Sequence, residues 1–186
     1  DVFTELAEIT EGPYLHIGGD ESHVTSDEDY VRIVEFTLEK VIALGKIPIG
    51  WDEIANAKLD ERTISQYWAS SENTSLAASK KASVIISPAA HAYLDMQYDS
   101  LTPLGLHWAG YLPVKKSYNW NPEALVEQLD PEQIVGIEAP LWSETLENLE
   151  DIEYMTFPRL PGLAEIAWST KDRRSWESYK RILERH

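Results

Sequence analysis

Two adjacent carboxylates, Asp20 and Glu21, follow the run Tyr14-Leu15-His16-Ile17-Gly18-Gly19. Carboxylates paired at one place can divide labour. One gives and takes a proton while the other orients a polar group or stabilises positive charge. The run before them reads as a buried strand over about 14–19, rich in strand-favouring Tyr14, Leu15 and Ile17 and closed by two glycines. Without a Cβ, Gly18 and Gly19 let a large group approach the backbone. Side chains alternate along a strand, so both acids can address one site only where the pleat relaxes at the strand's mouth. Adjacent acids taken alone are usually a solvated turn. The His16-x-Gly18-Gly19 lead-in sets this pair apart.

Other residues with chemical potential also stand just behind apolar runs. Trp51-Asp52-Glu53 follows Ile47-Pro48-Ile49-Gly50, and Trp68 follows Thr63-Ile64-Ser65-Gln66-Tyr67. Trp142-Ser143-Glu144 follows Ala139-Pro140-Leu141, itself behind Ile134–Glu138. Tyr93-Leu94-Asp95 and His107-Trp108-Ala109-Gly110 lie in a long irregular stretch, about 89–122. Seven Trp and nine Tyr are many for 186 residues, and flat apolar rings edged by polar groups suit sugars. A lone Trp is more often core than pocket. Three of them, each behind a different strand and beside a polar residue, are harder to assign to packing. Trp120, Trp168 and Trp176 are assigned to packing, and Asp52 and Glu53 are expected to orient their neighbours. His23, His91, His107 and His186 lack metal-ligand spacing and read as structural or exposed. Glu147-Asn148-Leu149-Glu150-Asp151 reads as a solvated helix start.

The elements that must position these residues alternate. A helix over 1–10 stops at Gly12-Pro13, and strand one follows. Thr25-Ser26-Asp27-Glu28 is a capping-box pattern for a helix running to about Leu44, with Val31, Val34, Leu38, Val41 and Ile42 on one face and Gly45 as its stop. Strands are expected at 47–53, 63–68, 83–88 and 134–138, with a helix over 71–81 and a helical turn at Pro131. A helix or helix pair spans 148–168, broken or kinked by Pro158 and Pro161, and an amphipathic helix covers 173–186. Strand-helix alternation means a parallel sheet in an α/β fold, and sites in such folds lie behind the strands. Periodicity alone does not separate a barrel from an open doubly wound sheet.

Composition narrows the function. A net charge of −16 argues against nucleic-acid partners, which need basic surface. No apolar run approaches the roughly 20 residues of a membrane span, so no membrane partner is expected. There is no cysteine, hence no disulfide and no thiolate metal site. The first residues carry no signal-peptide pattern, and the chain begins without Met.

His16-Ile17-Gly18-Gly19-Asp20-Glu21 resembles the signature of the family 20 glycoside hydrolases, the β-N-acetylhexosaminidases. Gly50-Trp51-Asp52-Glu53, Tyr93-Leu94-Asp95, Trp108-Ala109-Gly110 and Ala139-Pro140-Leu141-Trp142-Ser143-Glu144 follow in family order, so the resemblance spans nearly the whole chain. It implies a (β/α)8 TIM-barrel fold of which residues 1–186 supply about the fourth to eighth βα units. It also implies that a family arginine that clamps sugar hydroxyls belongs to the units not contained here. By this resemblance Glu21 is the general acid/base, Asp20 holds the substrate's acetamido N–H, and Tyr93 directs the acetamido oxygen at the anomeric carbon. Trp51, Trp68 and Trp142 wall the acetamide methyl, Trp108 is a platform for the next sugar, Asp95 and Glu144 accept ring hydroxyls, and His16 supports the acidic pair from behind. The implied activity is removal of terminal β-linked GlcNAc or GalNAc from N-acetylhexosamine glycans or chito-oligosaccharides, with no metal or organic cofactor. Two alternatives stay open. One is a catalytically incompetent barrel fragment that folds by self-association, or by joining the missing N-terminal half, or that only binds sugar. The other is a conventional retaining glycosidase with a protein nucleophile, against which the adjacency of Asp20 and Glu21 argues.

Overall fold

A computed structural model describes residues 2–185. Five strands, β1 (Tyr14–His16), β2 (Ile47–Trp51), β3 (Ile64–Tyr67), β4 (Ser83–Ile86) and β5 (Ile134–Ile137), form one sheet in chain order, and the pairings β1 to β4 are parallel. The chain divides into two compact units, residues 1–86 with 123–135 and residues 87–122 with 136–186. No helix among the described residues is long and apolar enough to cross a membrane.

In the first unit α1 (Val2–Ile9) precedes β1, and the sheet is faced by α2 (Asp27–Ala43) and α3 (Ser71–Ser79). Ser26 caps α2 by accepting the Asp29 N–H, and three acids in the first turn suit the positive end of the helix. Val34, Leu38 and Val41 are buried at helical spacing, as the periodicity predicts. Gly45 follows the C-cap at φ +77, and its N–H and that of Lys46 satisfy the carbonyls of Ile42 and Val41. Val34, Leu38, Ile54 and Ala57 form a core against Ile17, Tyr30, Val31 and Leu59. Pro48 sits inside β2 without loss: the register with β3 starts at Ile49, so its missing N–H removes no bond to that strand. The strand expected over 14–19 is assigned only to His16, because Gly18 and Gly19 turn out of the extended region at φ +75 and +100. The ladder nevertheless continues, with Ile17 N–H on the Ile49 carbonyl (2.8 Å) and Trp51 N–H on the Gly18 carbonyl (3.0 Å).

The second unit holds short helices α4 (Ala89–Ala92) and α5 (Val114–Tyr118), then α6 (Leu149–Thr156), α7 (Arg159–Trp168) and α8 (Trp176–Leu183). The stretch expected to be irregular therefore contains two helical turns, each started behind a proline, Pro88 or Pro113. Pro158 separates α6 from α7 as expected. Pro161 breaks nothing, because it stands in the first turn of α7, where its missing N–H is an unused donor. Gly162 lets two rings close over the helix. A Cβ there would meet Tyr118 and Tyr179 at 3.2 Å, and those rings stack 4.6 Å apart.

Trp120 is buried, its indole N–H on the Ser117 carbonyl and its ring stacked on His91. Trp176 is half-buried against Tyr118 and Tyr179. Trp168, assigned above to packing, is instead 91% exposed. The buried stripe of α7 is Arg159, Gly162, Leu163 and Ile166, and the last residue of the helix falls off it. His23 is exposed, His91 half-buried and His107 exposed, while His186 lies outside the described residues.

Candidate active site

The acidic pair stands where β1 gives way to its glycine turn. Gly19 has no room for a side chain: a Cβ would meet Ile54 at 2.8 Å and the Tyr30 hydroxyl at 3.3 Å, and its φ of +100 strains any L residue. The Tyr30 O–H donates to the Gly19 carbonyl (2.6 Å). Burial, then the charges of Glu53, Asp20 and Asp52, push that hydroxyl's pKa up, so it stays a donor. Asp20 and Glu21 follow, both exposed. Glu21 is held at φ +48, a left-handed conformation that costs a non-glycine residue roughly 1 kcal/mol. Such outliers persist only where surrounding contacts over-determine them.

Those contacts come from behind β2 and β3. The Glu21 N–H donates to Glu53 Oε1 (3.3 Å), and the Trp68 indole N–H donates to Glu53 Oε2 (3.0 Å). Asp52, fully buried, accepts the backbone N–H groups of Trp68, Ala69 and Ser70 on Oδ2 and the Asn73 side chain on Oδ1, each at 3.0 Å. Trp68 is thus gripped through its backbone by one acid and through its ring by the next. Trp51 meets Trp68 edge to face, 6.4 Å between ring centroids. On its other side Trp51 meets His16 at 5.1 Å. His16 Nδ1 accepts the Gly18 N–H (3.0 Å), which leaves the proton on Nε2 for donation to Gln66 Oε1 (3.2 Å). His16, Asp20, Glu21, Trp51 and Trp68 are thereby linked in the first unit by a turn, two carboxylates and a pair of rings.

The second unit carries the remaining candidates. Tyr93 is buried, with Trp108 edge-on at 5.9 Å and Trp142 tilted at 6.4 Å. Asp95 is buried, its Oδ1 accepting the Trp142 N–H (3.4 Å), while Oδ2 finds no hydrogen-bond partner among the described residues. Glu144 is exposed, and its charge bears on Asp95. The Asp95 carbonyl accepts the Leu106 N–H, and Gly105 is required beside it, since a Cβ would lie 2.3 Å from that carbonyl oxygen.

Burial pushes the Asp95 carboxyl up to about 6, Glu144 adding to the rise and the Trp142 N–H and Arg159 opposing it. A folded-state pKa above the unfolded value means the folded form binds the extra proton. Stability therefore falls as pH rises from about 4 to about 6 and is level above. Urea midpoints of wild type and Asp95→Asn should diverge across that window, the wild type losing ground. Parallel curves would place the raised pKa elsewhere.

Sequence reasoning passed over several supports. Gln66 had a visible signal, a large polar side chain in the middle of an expected strand. Tyr30 had none, because a tyrosine on the apolar face of an amphipathic helix reads as packing.

Comparisons with known proteins agree on one relationship. Residues 22–171 match the model of glycosyl hydrolase family 20, catalytic domain. A β-N-acetylhexosaminidase of Cellulomonas fimi is 40% identical over the whole chain, which spans 38% of that protein's length. A family 20 β-N-acetylhexosaminidase structure from Streptomyces coelicolor superposes with a TM-score of 0.95 at 43% identity, covering 98% of this chain and 38% of that one. The Streptomyces plicatus N-acetyl-β-hexosaminidase in complex with Thio-NAglucal gives 0.93 at 42% identity, over 96% of this chain and 37% of its own.

Proposed function

Because this chain belongs to glycosyl hydrolase family 20, we propose that residues 1–186 are the C-terminal portion of a β-N-acetylhexosaminidase catalytic domain, supplying about its fourth to eighth βα units. The reaction is exo-hydrolysis of terminal β-linked GlcNAc or GalNAc from glycans or chito-oligosaccharides, with retention of configuration. The observation that carries this reading is the coupling of the Glu21 peptide to the Trp68 indole through Glu53, with Trp51 standing edge-on to Trp68. It joins a proton donor to an apolar wall, a combination suited to a sugar bearing an acetamide methyl.

Family 20 enzymes stand outside the usual scheme of one acid and one protein nucleophile. Glu21 gives its proton to the glycosidic oxygen as the bond to the anomeric carbon breaks. The substrate's acetamido oxygen forms the new bond to that carbon, the aglycone leaves as an alcohol, and an oxazolinium ion remains. Asp20 accepts the acetamido N–H and stabilises the positive charge as it develops. The Tyr93 hydroxyl donates to the acetamido oxygen and aligns it. Water then attacks the anomeric carbon, losing its proton to Glu21, and the oxazolinium ring opens. Trp51, Trp68 and Trp142 enclose the methyl, worth roughly 1 kcal/mol for a methyl-sized contact. Trp108 carries the next sugar, and Asp95 and Glu144 take ring hydroxyls. Asp95 Oδ2, which has no hydrogen-bond partner among the described residues, is an acceptor open to a ring hydroxyl. His16 supports the turn through its bond to Gly18.

The test is the acetamido group itself. An aryl N-acetyl-β-glucosaminide should be hydrolysed by the full-length protein, while the matching aryl β-glucoside, which lacks the internal nucleophile, should turn over at least about 100-fold more slowly, in keeping with the large effective molarities of aligned intramolecular groups. Comparable rates, or a covalent adduct trapped with a fluorosugar, would replace this mechanism with a protein nucleophile. A second reading is favoured by the exposed edge of the first unit: Tyr14 and His16 on β1, and Ile33 and Phe36 on α2 at 59% and 60% exposure. On that reading the 186 residues alone are inactive and associate through this edge. Solution mass and activity of the isolated 186-residue chain test this second reading: an inactive dimer supports it, and an active monomer overturns it.

A further inference from the structure

We infer that Glu53 is a positioning residue for this reaction, its carboxylate fastening the peptide that carries Glu21 to the indole ring of Trp68. The inference rests on the reading of Glu21 as the acid/base and adds a residue through which that acid is aimed. Two acceptor oxygens meet two donors: Oε1 takes the Glu21 N–H and Oε2 the Trp68 indole N–H. The platform beneath is stiff. Glu53 lies in a short 3-10 turn, Asp52–Asn56, directly behind β2. Its neighbour Asp52 is buried and bonded to four donors, and the Asn56 side chain donates to the Glu53 carbonyl (3.0 Å).

What Glu53 holds is the strained residue. The left-handed φ of Glu21 has its backbone N–H as a direct anchor, and releasing that anchor lets the peptide relax toward ordinary φ values and swing the carboxyl away. A displacement of about 1 Å from the reactive position costs on the order of 100-fold in rate. Burial pushes the Glu53 carboxyl up, and the Trp68 indole N–H opposes it. A half-buried acid kept in such a place is a poor choice for packing alone and a good one for gripping two N–H groups.

Glutamine is the informative replacement. Glu53→Gln keeps the shape but has one acceptor oxygen for two donors, so one bond is lost and an N–H faces an N–H. Kinetics of the full-length protein on aryl N-acetyl-β-glucosaminides of graded leaving-group basicity should show kcat falling roughly 10- to 100-fold on poor leaving groups and much less on activated ones. Combined with Glu21→Gln, it should add almost nothing further, since both changes remove the same proton transfer. Glu53→Asp, with both oxygens on a shorter arm, should recover part of the loss. A Glu53→Gln enzyme at wild-type rate overturns the inference. So does a loss that is equal for all leaving groups and multiplies independently with Glu21→Gln, for that is the mark of general structural damage. If Glu21→Gln itself shows no leaving-group dependence, the acid assignment fails, and this inference fails with it.

Discussion

Replacing Glu21 by glutamine is expected to slow hydrolysis of N-acetyl-β-glucosaminides with alkyl or sugar leaving groups by roughly 10²–10⁴-fold, the usual worth of a positioned acid or base. An alkoxide is a poor leaving group, so bond cleavage without a proton donor carries nearly its full barrier. A nitrophenolate departs without help, and the same variant should keep much more of its activity on such substrates. The change is nearly isosteric and falls on an exposed side chain at a turn already at φ +48, so folding is not the reason for the loss. KM should move little, because the contact matters most in the transition state. Equal losses on activated and unactivated substrates would remove the acid role from Glu21.

How much of this was readable beforehand depends on the range of the interaction. The elements follow from local pattern. Val34, Leu38 and Val41 recur at helical spacing and are buried, and the apolar runs at Ile47, Ile64, Ser83 and Ile134 are the strands. Boundaries moved where a local rule met a special backbone. Gly18 and Gly19 end β1 early, and Pro161 falls in a first turn that forgives it. Asp52 and Glu53 were expected to orient neighbours. That they grip Trp68 from both ends, and Glu21 as well, depends on pairs 15 to 32 positions apart, which no periodicity encodes. Trp168 shows the reverse error. Residue type suggested packing, but its position at the end of α7 leaves it in solvent.

Arg159 was the least legible residue of all, and its removal should cost the most stability. An arginine at a helix start reads as surface, yet Arg159 is 1% exposed. Its guanidinium donates to four backbone carbonyls. Nη1 reaches Met96 (2.6 Å) and Leu112 (3.2 Å), and Nη2 reaches Leu94 and Met155 (2.6 Å). The Tyr98 ring lies 3.9 Å from its central carbon. Burial pulls its pKa down, and Tyr98 and Asp95 resist that pull. The planar fork suits carbonyls converging from several segments, which a lysine's single point of charge cannot match. Leu94 lies between Tyr93 and Asp95, so the same group that stitches the second unit together also holds the backbone of two proposed substrate contacts. Each hydrogen bond to a charged donor is worth about 1.5–3 kcal/mol, and each orphaned buried carbonyl costs about 1–3 kcal/mol. Removing the charge relieves part of the desolvation cost. Arg159→Leu should therefore lose about 4 kcal/mol in urea unfolding, and Arg159→Lys nearly as much. Amide hydrogen exchange should rise first in residues 94–97 and 105–112, whose cross-connections run from Leu106 N–H to Asp95 and from Leu112 N–H to Gln97. A loss below about 1 kcal/mol, in the range of an ordinary surface substitution, would mean that water replaces the guanidinium at those carbonyls. Exchange that rises evenly through both units would mean that the carbonyls are held by the packing around them and not by Arg159.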